Sequence, residues 1–184
     1  MTLVAAHGRP GAGKSTLTGM IADAITELGR PVGIIKLGAP LYELQDEVYR
    51  AAGATVPQPG QQDGALLNML GQHLRRINPA ALTDRFARTV AERVHDRPDL
   101  VILCDDMRPA DTAALRALGA VFVQVWAPDD VRLVRKAGRG DLAQGSDDHP
   151  TEGDITDFDH RVENTASLEA LRERARYLVQ EVLG

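Results

Sequence analysis

Eight residues near the amino end, Gly8-Arg9-Pro10-Gly11-Ala12-Gly13-Lys14-Ser15, have the spacing of a phosphate-binding loop: a glycine, four free positions, then Gly-Lys-Ser. The glycines let the main chain wrap closely around phosphate oxygens with its N–H groups turned inward. A helix starting at the loop adds partial positive charge from its first turn. Gly8, Gly11, Ala12, Gly13, Lys14, Ser15 and Thr16 are therefore the expected ATP contacts. Lys14 is placed to reach the β- and γ-phosphates, and the Ser15 hydroxyl to ligate Mg²⁺.

Such a site needs an acid opposite the loop. Asp105 and Asp106 close an apolar run, Leu100 to Cys104, and either carboxylate could hold Mg²⁺ against Ser15. It also needs cations to spread the charge of a transferring phosphoryl group. Arg132, Arg135, Lys136 and Arg139 form a cluster in which Arg132, Arg135 and Arg139 have helical spacing. They precede a Gly/Asp-rich segment with no apolar period, read as a lid that excludes water. Arg135 and Arg139 are expected at the reacting phosphate and Arg132 on the nucleotide. Arg75, Arg76 and Arg108 are candidates for a second, phosphate-bearing substrate, with Lys36, Asp106 and His149 beside them. An alcohol acceptor would want a carboxylate near its hydroxyl. Lys36-Leu37-Gly38-Ala39 supplies no acid, which favours an acceptor that is already an anion. Cys104, the single cysteine, reads as core, and no Cys/His set has zinc spacing.

The elements that position these groups alternate. Leu3 to Ala6, Val32 to Leu37, Leu100 to Cys104, Val121 to Trp126 and His160 to Val162 read as strands. A helix follows the loop with Leu17, Met20, Ile21, Ala24, Ile25 and Leu28 on one face, and stops at Gly29. A second helix carries Leu41, Leu44, Val48 and Ala51. A third, from about Ala65 to Ile77, turns Leu66, Leu67, Leu70, Leu74 and Ile77 inward. Asn78 and Pro79 open a fourth with Leu82, Phe86, Val90 and Val94. Ala110 to Leu118 is helical, Pro128 opens a helix with Val131 and Val134, and Ser167 caps a last helix with Leu168, Leu171, Ala175, Leu178 and Val182. This order predicts an α/β fold: a five-stranded parallel sheet covered on both faces, in three layers. The core comprises residues 1–37, 98–136 and 158–184, with a helical substrate-binding insertion at 38–97 and a lid at 137–157.

The 184 residues suit one domain, and 43% hydrophobic with 26% charged residues suits a globular chain. A net charge of −5 argues against a general nucleic-acid surface. No apolar run approaches the roughly 20 residues of a membrane span. The expected location is the cytoplasm and the expected partner a small-molecule nucleotide, with a homodimer left open. A guanine-nucleotide switch would normally carry Asn-Lys-x-Asp, which is absent.

The motif order resembles the deoxynucleoside monophosphate kinases of bacteriophage type, relatives of dephospho-coenzyme A kinase. Besides the phosphate loop, the likeness rests on Leu37-Gly38-Ala39-Pro40-Leu41, on Leu66 to Arg76, and on Asp105-Asp106-Met107-Arg108. It also rests on His149-Pro150-Thr151-Glu152 and on Val162-Glu163-Asn164-Thr165 with Leu168. The resemblance implies transfer of the ATP γ-phosphate to a nucleoside monophosphate, and site roles for Arg76, Arg108, Arg135 and His149. Ala39 stands where that family has an aspartate, and Pro109-Ala110-Asp111 replaces its Phe-Pro-Asn-Glu. Both departures bear on the acceptor. The alternative is a kinase of a non-nucleotide small molecule.

Overall fold

The computed structural model describes residues 1–58, 61–138, 140–143 and 153–184. Five parallel strands, β1 (Thr2–His7), β2 (Val32–Ile34), β3 (Val101–Cys104), β4 (Val121–Trp126) and β5 (His160–Glu163), lie in the order β2-β3-β1-β4-β5. The helices are α1 (Lys14–Glu27), α2 (Ala39–Ala51), α3 (Gly64–Ile77), α4 (Ala81–Asp96), α5 (Thr112–Ala117), α6 (Asp129–Ala137) and α7 (Leu168–Leu183). Central β1 pairs with β3 and with β4, so the loop that follows it leaves from the middle of the sheet's carboxyl edge. Open parallel sheets bind ligands at that edge, where the strand order reverses.

Alternation along β1 divides the core in two, because successive side chains leave opposite faces. Val4 and Ala6 join Leu17, Ile21 and Ile25 of α1 and Leu171, Ala175 and Leu178 of α7. Leu3 and Ala5 join Leu82, Phe86 and Val90 of α4 with Leu115 and Phe122. Both faces of the sheet are thus sealed by helices, as the alternating order predicts.

Some of the elements depart from that pattern. β2 is a three-residue edge strand ending at Ile34, which is exposed, rather than a buried strand reaching Leu37. In α2 the buried residue is Gln45 and not Val48. Gln45 Oε1 accepts from the Asp63 N–H at 2.8 Å, stitching the preceding loop to the start of α3, where Asp63 also caps the helix. Ile77, Val134 and Leu168, expected inward, are exposed. The segment at 140–143 pairs with the start of α3, the Gly64 N–H donating to the Ala143 carbonyl at 2.8 Å. Of the expected lid at 137–157, residues 139 and 144–152 lie outside the described residues. Among the described residues no helix is long and apolar enough to cross a membrane.

Phe122 is fully buried on the α4/α5 side of the sheet. Phe122→Ala is expected to cost about 3–5 kcal/mol of unfolding free energy, whereas Ile77→Ser changes it by less than about 0.5 kcal/mol. Urea denaturation of both variants checks the assignment.

Candidate active site

The turn from β1 to α1 is held by glycines at φ +138° (Gly8), +82° (Gly11) and +97° (Gly13). Gly13 precedes α1 in the left-handed region, and no side chain caps that helix. Its first N–H groups therefore keep their capacity for an anion. No acid lies in the first turn to compete for them. Lys14 Nζ lies over the loop, donating to the Gly8 carbonyl at 2.7 Å.

The loop is braced from two sides. Arg132 on α6 is buried and donates to the Pro10 carbonyl at 2.7 Å, with Asp129 holding the rest of the guanidinium. Arg132 does not line the cavity, so the expectation that it contacts the nucleotide gives way to a role beneath the loop. Asn164, after β5, donates from Nδ2 to the Ala12 carbonyl at 2.8 Å and is itself buried. Its own carbonyl accepts from Arg135 Nη1 at 3.3 Å, which brings that arginine to the cavity's edge. α6 is inverted relative to an ordinary surface helix: Arg132 and Lys136 face inward, Leu133 and Val134 outward.

A cavity of about 540 Å³ opens between the loop and the insertion. One wall is Gly11, Gly13, Lys14, Ser15 and Thr16, with Arg135 and Lys136 from α6. The facing wall is Lys36, Leu37, Gly38, Leu41, Tyr42, Asn68, Gly71, Arg75 and Arg108. Asp105 and Asp106 lie between the two. The structure thus brings together the expected Lys14, Ser15, Thr16, Lys36, Arg75, Asp105, Asp106, Arg108 and Arg135. Arg76 does not join them; it is exposed and lines no part of the cavity. Arg139 and His149 lie outside the described residues. Lys136, Asn164 and Asp111 were not assigned to the site by their sequence pattern. Lys136 sits one turn beyond Arg132, so the inward stripe of α6 runs through 132 and 136.

The two acids differ in their bonds. Asp106 accepts from the Leu37 and Gly38 main-chain N–H groups, both at 2.9 Å, and so fixes the chain leaving β2. Asp105 is buried and its Oδ1 forms an ion pair with Lys36. Burial opposes the charge on Lys36, but the hydrogen bond and charge of Asp105 outweigh it and raise the ammonium's pKa. A magnesium ion needs few protein oxygens, taking the rest from water and phosphate. The Ser15 hydroxyl and the Asp105 carboxylate fit that demand, since both are hard donors on one cavity. Asp106 also lines the cavity, with its two oxygens each accepting from a main-chain amide. Cys104 is buried, with its thiol pushed well up by desolvation, and is inert core.

No family model matches the chain, and no curated protein matches it in sequence. Solved structures do match in shape. The APS kinase CysC of Mycobacterium tuberculosis, in complex with AMPPNP and APS, superposes with a TM-score of 0.57 at 15% identity, covering 100% of this chain and 98% of that one. The shikimate kinase of Acinetobacter baumannii, in complex with shikimate, gives 0.52 at 19% identity over 100% and 93%. A gluconokinase from Sinorhizobium meliloti gives 0.52 at 17% identity over 98% and 92%. The chain has the fold of these kinases. The matches run nearly the full length of each chain.

His7, the last residue of β1, is buried beside the loop, and its Nε2 finds no partner among the described residues. Burial, then the charge of Lys14, lowers its pKa from 6.5 to about 4. A histidine that is neutral when folded and protonated when unfolded makes the unfolded state bind more protons between these values. Stability then rises with pH across that window and is lost as pH falls from about 6.5 toward 4, at up to roughly 1.4 kcal/mol per pH unit. His7→Phe is expected to flatten the dependence of urea midpoints on pH between 6.5 and 4.5. An unchanged slope removes His7 as its source.

Proposed function

We propose that this chain is an ATP-dependent phosphotransferase whose acceptor is a nucleoside 5′-monophosphate. The observation that carries the reading is the pairing of cavity walls. A phosphate loop with Lys14 and Ser15 faces a wall whose charged side chains are the cations Lys36, Arg75 and Arg108. The acids between them are already bonded to protein groups. Ala39 adds no carboxylate, so nothing at the start of α2 is equipped to take a proton from an alcohol.

A phosphate monoester needs no such base. Its second ionisation falls near pH 6, so at neutral pH its oxygens are largely deprotonated. One of them attacks the γ-phosphorus of ATP, the bond to the β–γ bridging oxygen breaks, and ADP leaves with that electron pair. Positioning and charge neutralisation carry the reaction. The loop amides and Lys14 hold the triphosphate. Arg135 and Lys136 approach from α6 to meet charge on the transferring group. Arg75, Arg108 and Lys36 hold the acceptor phosphate, and Tyr42, Leu41, Asn68 and Leu67 offer a half-apolar wall for the nucleoside. Ser15 and Asp105 would hold Mg²⁺, which would supply neutralisation of phosphate charge when bound.

A second reading has one specific support. Asp105 is buried beside Lys36, which reaches the cavity. An acceptor whose own carboxylate recruited Lys36 would leave Asp105 as a base for a hydroxyl. The named substrates of the structural neighbours, a sugar acid and shikimate, have that chemistry.

Release of ADP from Mg-ATP, measured against a panel of nucleoside monophosphates and a panel of hydroxy acids, separates the two. Stimulation by at least one monophosphate supports the first reading; stimulation by hydroxy acids alone replaces it with the second. Lys14→Ala is expected to lower turnover by about 10²–10³-fold with an unchanged melting temperature. Near-normal turnover would sink the site assignment.

For a monophosphate acceptor, kcat/KM should fall in acid with a midpoint near pH 6, the second ionisation of the acceptor itself. A midpoint that stays put when the acceptor is replaced by its thiophosphate analogue points to a protein base instead.

A further inference from the structure

Asp111 lies on the short turn Pro109–Asp111 that follows the acidic pair, and its side chain is almost fully buried. It is bonded in two directions. Both of its carboxylate oxygens accept from Arg75 Nη2 on α3, at 2.9 and 3.0 Å. Oδ2 also accepts from the Arg108 main-chain N–H at 2.9 Å. One buried carboxylate therefore touches both arginines of the acceptor wall, one through its guanidinium and the other through its backbone.

The setting of Arg75 shows what that contact leaves over. Its Nη1 makes only a long contact, 3.5 Å, to the Gly71 carbonyl. Its Nε is buried with no hydrogen-bond partner, although the residue lines the cavity. A buried donor left without a partner is costly, so an oxygen brought to this guanidinium from the cavity would be favoured. Gly71 makes room for the guanidinium: a Cβ there would come within 3.2 Å of Arg75 Nη1. A tie that only joined α3 to the turn would need neither the glycine beside the guanidinium nor a cavity against it.

We propose that Asp111 is the positioning residue of the acceptor site, tying the Arg108 backbone in place and orienting the Arg75 guanidinium so that it meets an anionic oxygen of the acceptor. Its carboxylate takes Nη2 of the Arg75 guanidinium and leaves Nε without a protein partner among the described residues. This rests on the reading that the insertion side of the cavity takes an anionic acceptor. It adds that acceptor affinity, and not ATP affinity, is set by a residue that touches neither substrate.

The test compares wild type with Asp111→Asn and Asp111→Ala. Inorganic phosphate serves as the probe, with the phosphate loop filled by Mg-AMPPNP, and ³¹P line broadening reports its binding. Wild type is expected to bind phosphate, Asp111→Ala to bind it at least tenfold more weakly, and Asp111→Asn to lie between, since the amide oxygen still accepts from an N–H. Affinity for Mg-AMPPNP, measured by calorimetry, should change less than twofold in both variants. The inference is overturned if phosphate binding survives in Asp111→Ala, or if both ligands weaken together, as a general loss of structure would cause. If Asp111→Ala does not fold, Asp111→Asn alone decides, and an affinity for phosphate equal to wild type overturns the inference. Where a monophosphate acceptor is identified, its KM should rise in Asp111→Asn with little change in the KM for ATP. Phosphate binding that depends on Asp111 while no nucleoside monophosphate accepts a phosphoryl group would refute the nucleotide assignment and leave this role standing.

Discussion

Three glycines of the phosphate loop each pack where a side chain could not go, and the architecture of the site follows from those approaches. A Cβ on Gly8 would fall 2.1 Å from the Val125 carbonyl oxygen of β4. On Gly11 it would fall 2.4 Å from the Arg132 carbonyl oxygen of α6, and on Gly13 2.2 Å from Asn164 Nδ2 after β5. Contacts under 3 Å cannot be accommodated against main chain, and all three glycines also have positive φ. The loop is thus clamped between β4, α6 and the start of the last helical segment. Its amides are set in place before any anion arrives, which is what electrostatic preorganisation requires.

This arrangement explains what could and could not be read along the chain. The loop, the sheet order class and the acid-ended strand were legible because local spacing encodes them: glycines for positive φ, alternation for strands, an apolar run closed by Asp105. The faces of α2 and α6 were not. A helix that borders a ligand cavity turns polar residues inward, so the apolar stripe that normally marks the buried face misleads. Gln45 and Lys136 are buried while Val48 and Val134 are exposed. Asn164 was visible only as part of a resembling motif; its bond to the Ala12 carbonyl spans 152 residues of sequence and has no local signature. The insertion helix ends with two adjacent arginines, and only the geometry separates Arg75, which lines the cavity, from Arg76, which does not.

The charges divide between the two ends of the cavity. At the loop end, positive potential comes largely from the main chain and from cations that also brace it, Arg132 most clearly. At the insertion end it comes from long side chains with fewer main-chain contacts. Preorganised amides suit a triphosphate, whose shape does not vary among kinases of one donor. At the other end Lys36 after β2, Arg75 on α3 and Arg108 after β3 come from separate elements, so their spacing can be changed by substitutions that leave the loop untouched.

The acids after β3 supply the link between those ends. Within residues 105–111, Asp105 pairs with Lys36, Asp106 accepts from the Leu37 and Gly38 amides, and Asp111 accepts from Arg75 and from the Arg108 amide. All but the last of these partners belong to β2's exit or to the insertion. The end of β3 therefore also acts as the anchor from which the insertion side of the cavity hangs. The energetic reason is burial: Asp105 and Asp111 are almost fully enclosed, and an enclosed carboxylate without partners is far costlier than one hydrogen-bonded to a cation. Desolvation raises the Asp111 pKa even with Arg75 beside it, so that pair is held by geometry and hydrogen bonds and not by strong net attraction. The same short segment thus places Asp105 on the cavity and, through Asp106 and Asp111, fixes the chain leaving β2 and the Arg75 guanidinium.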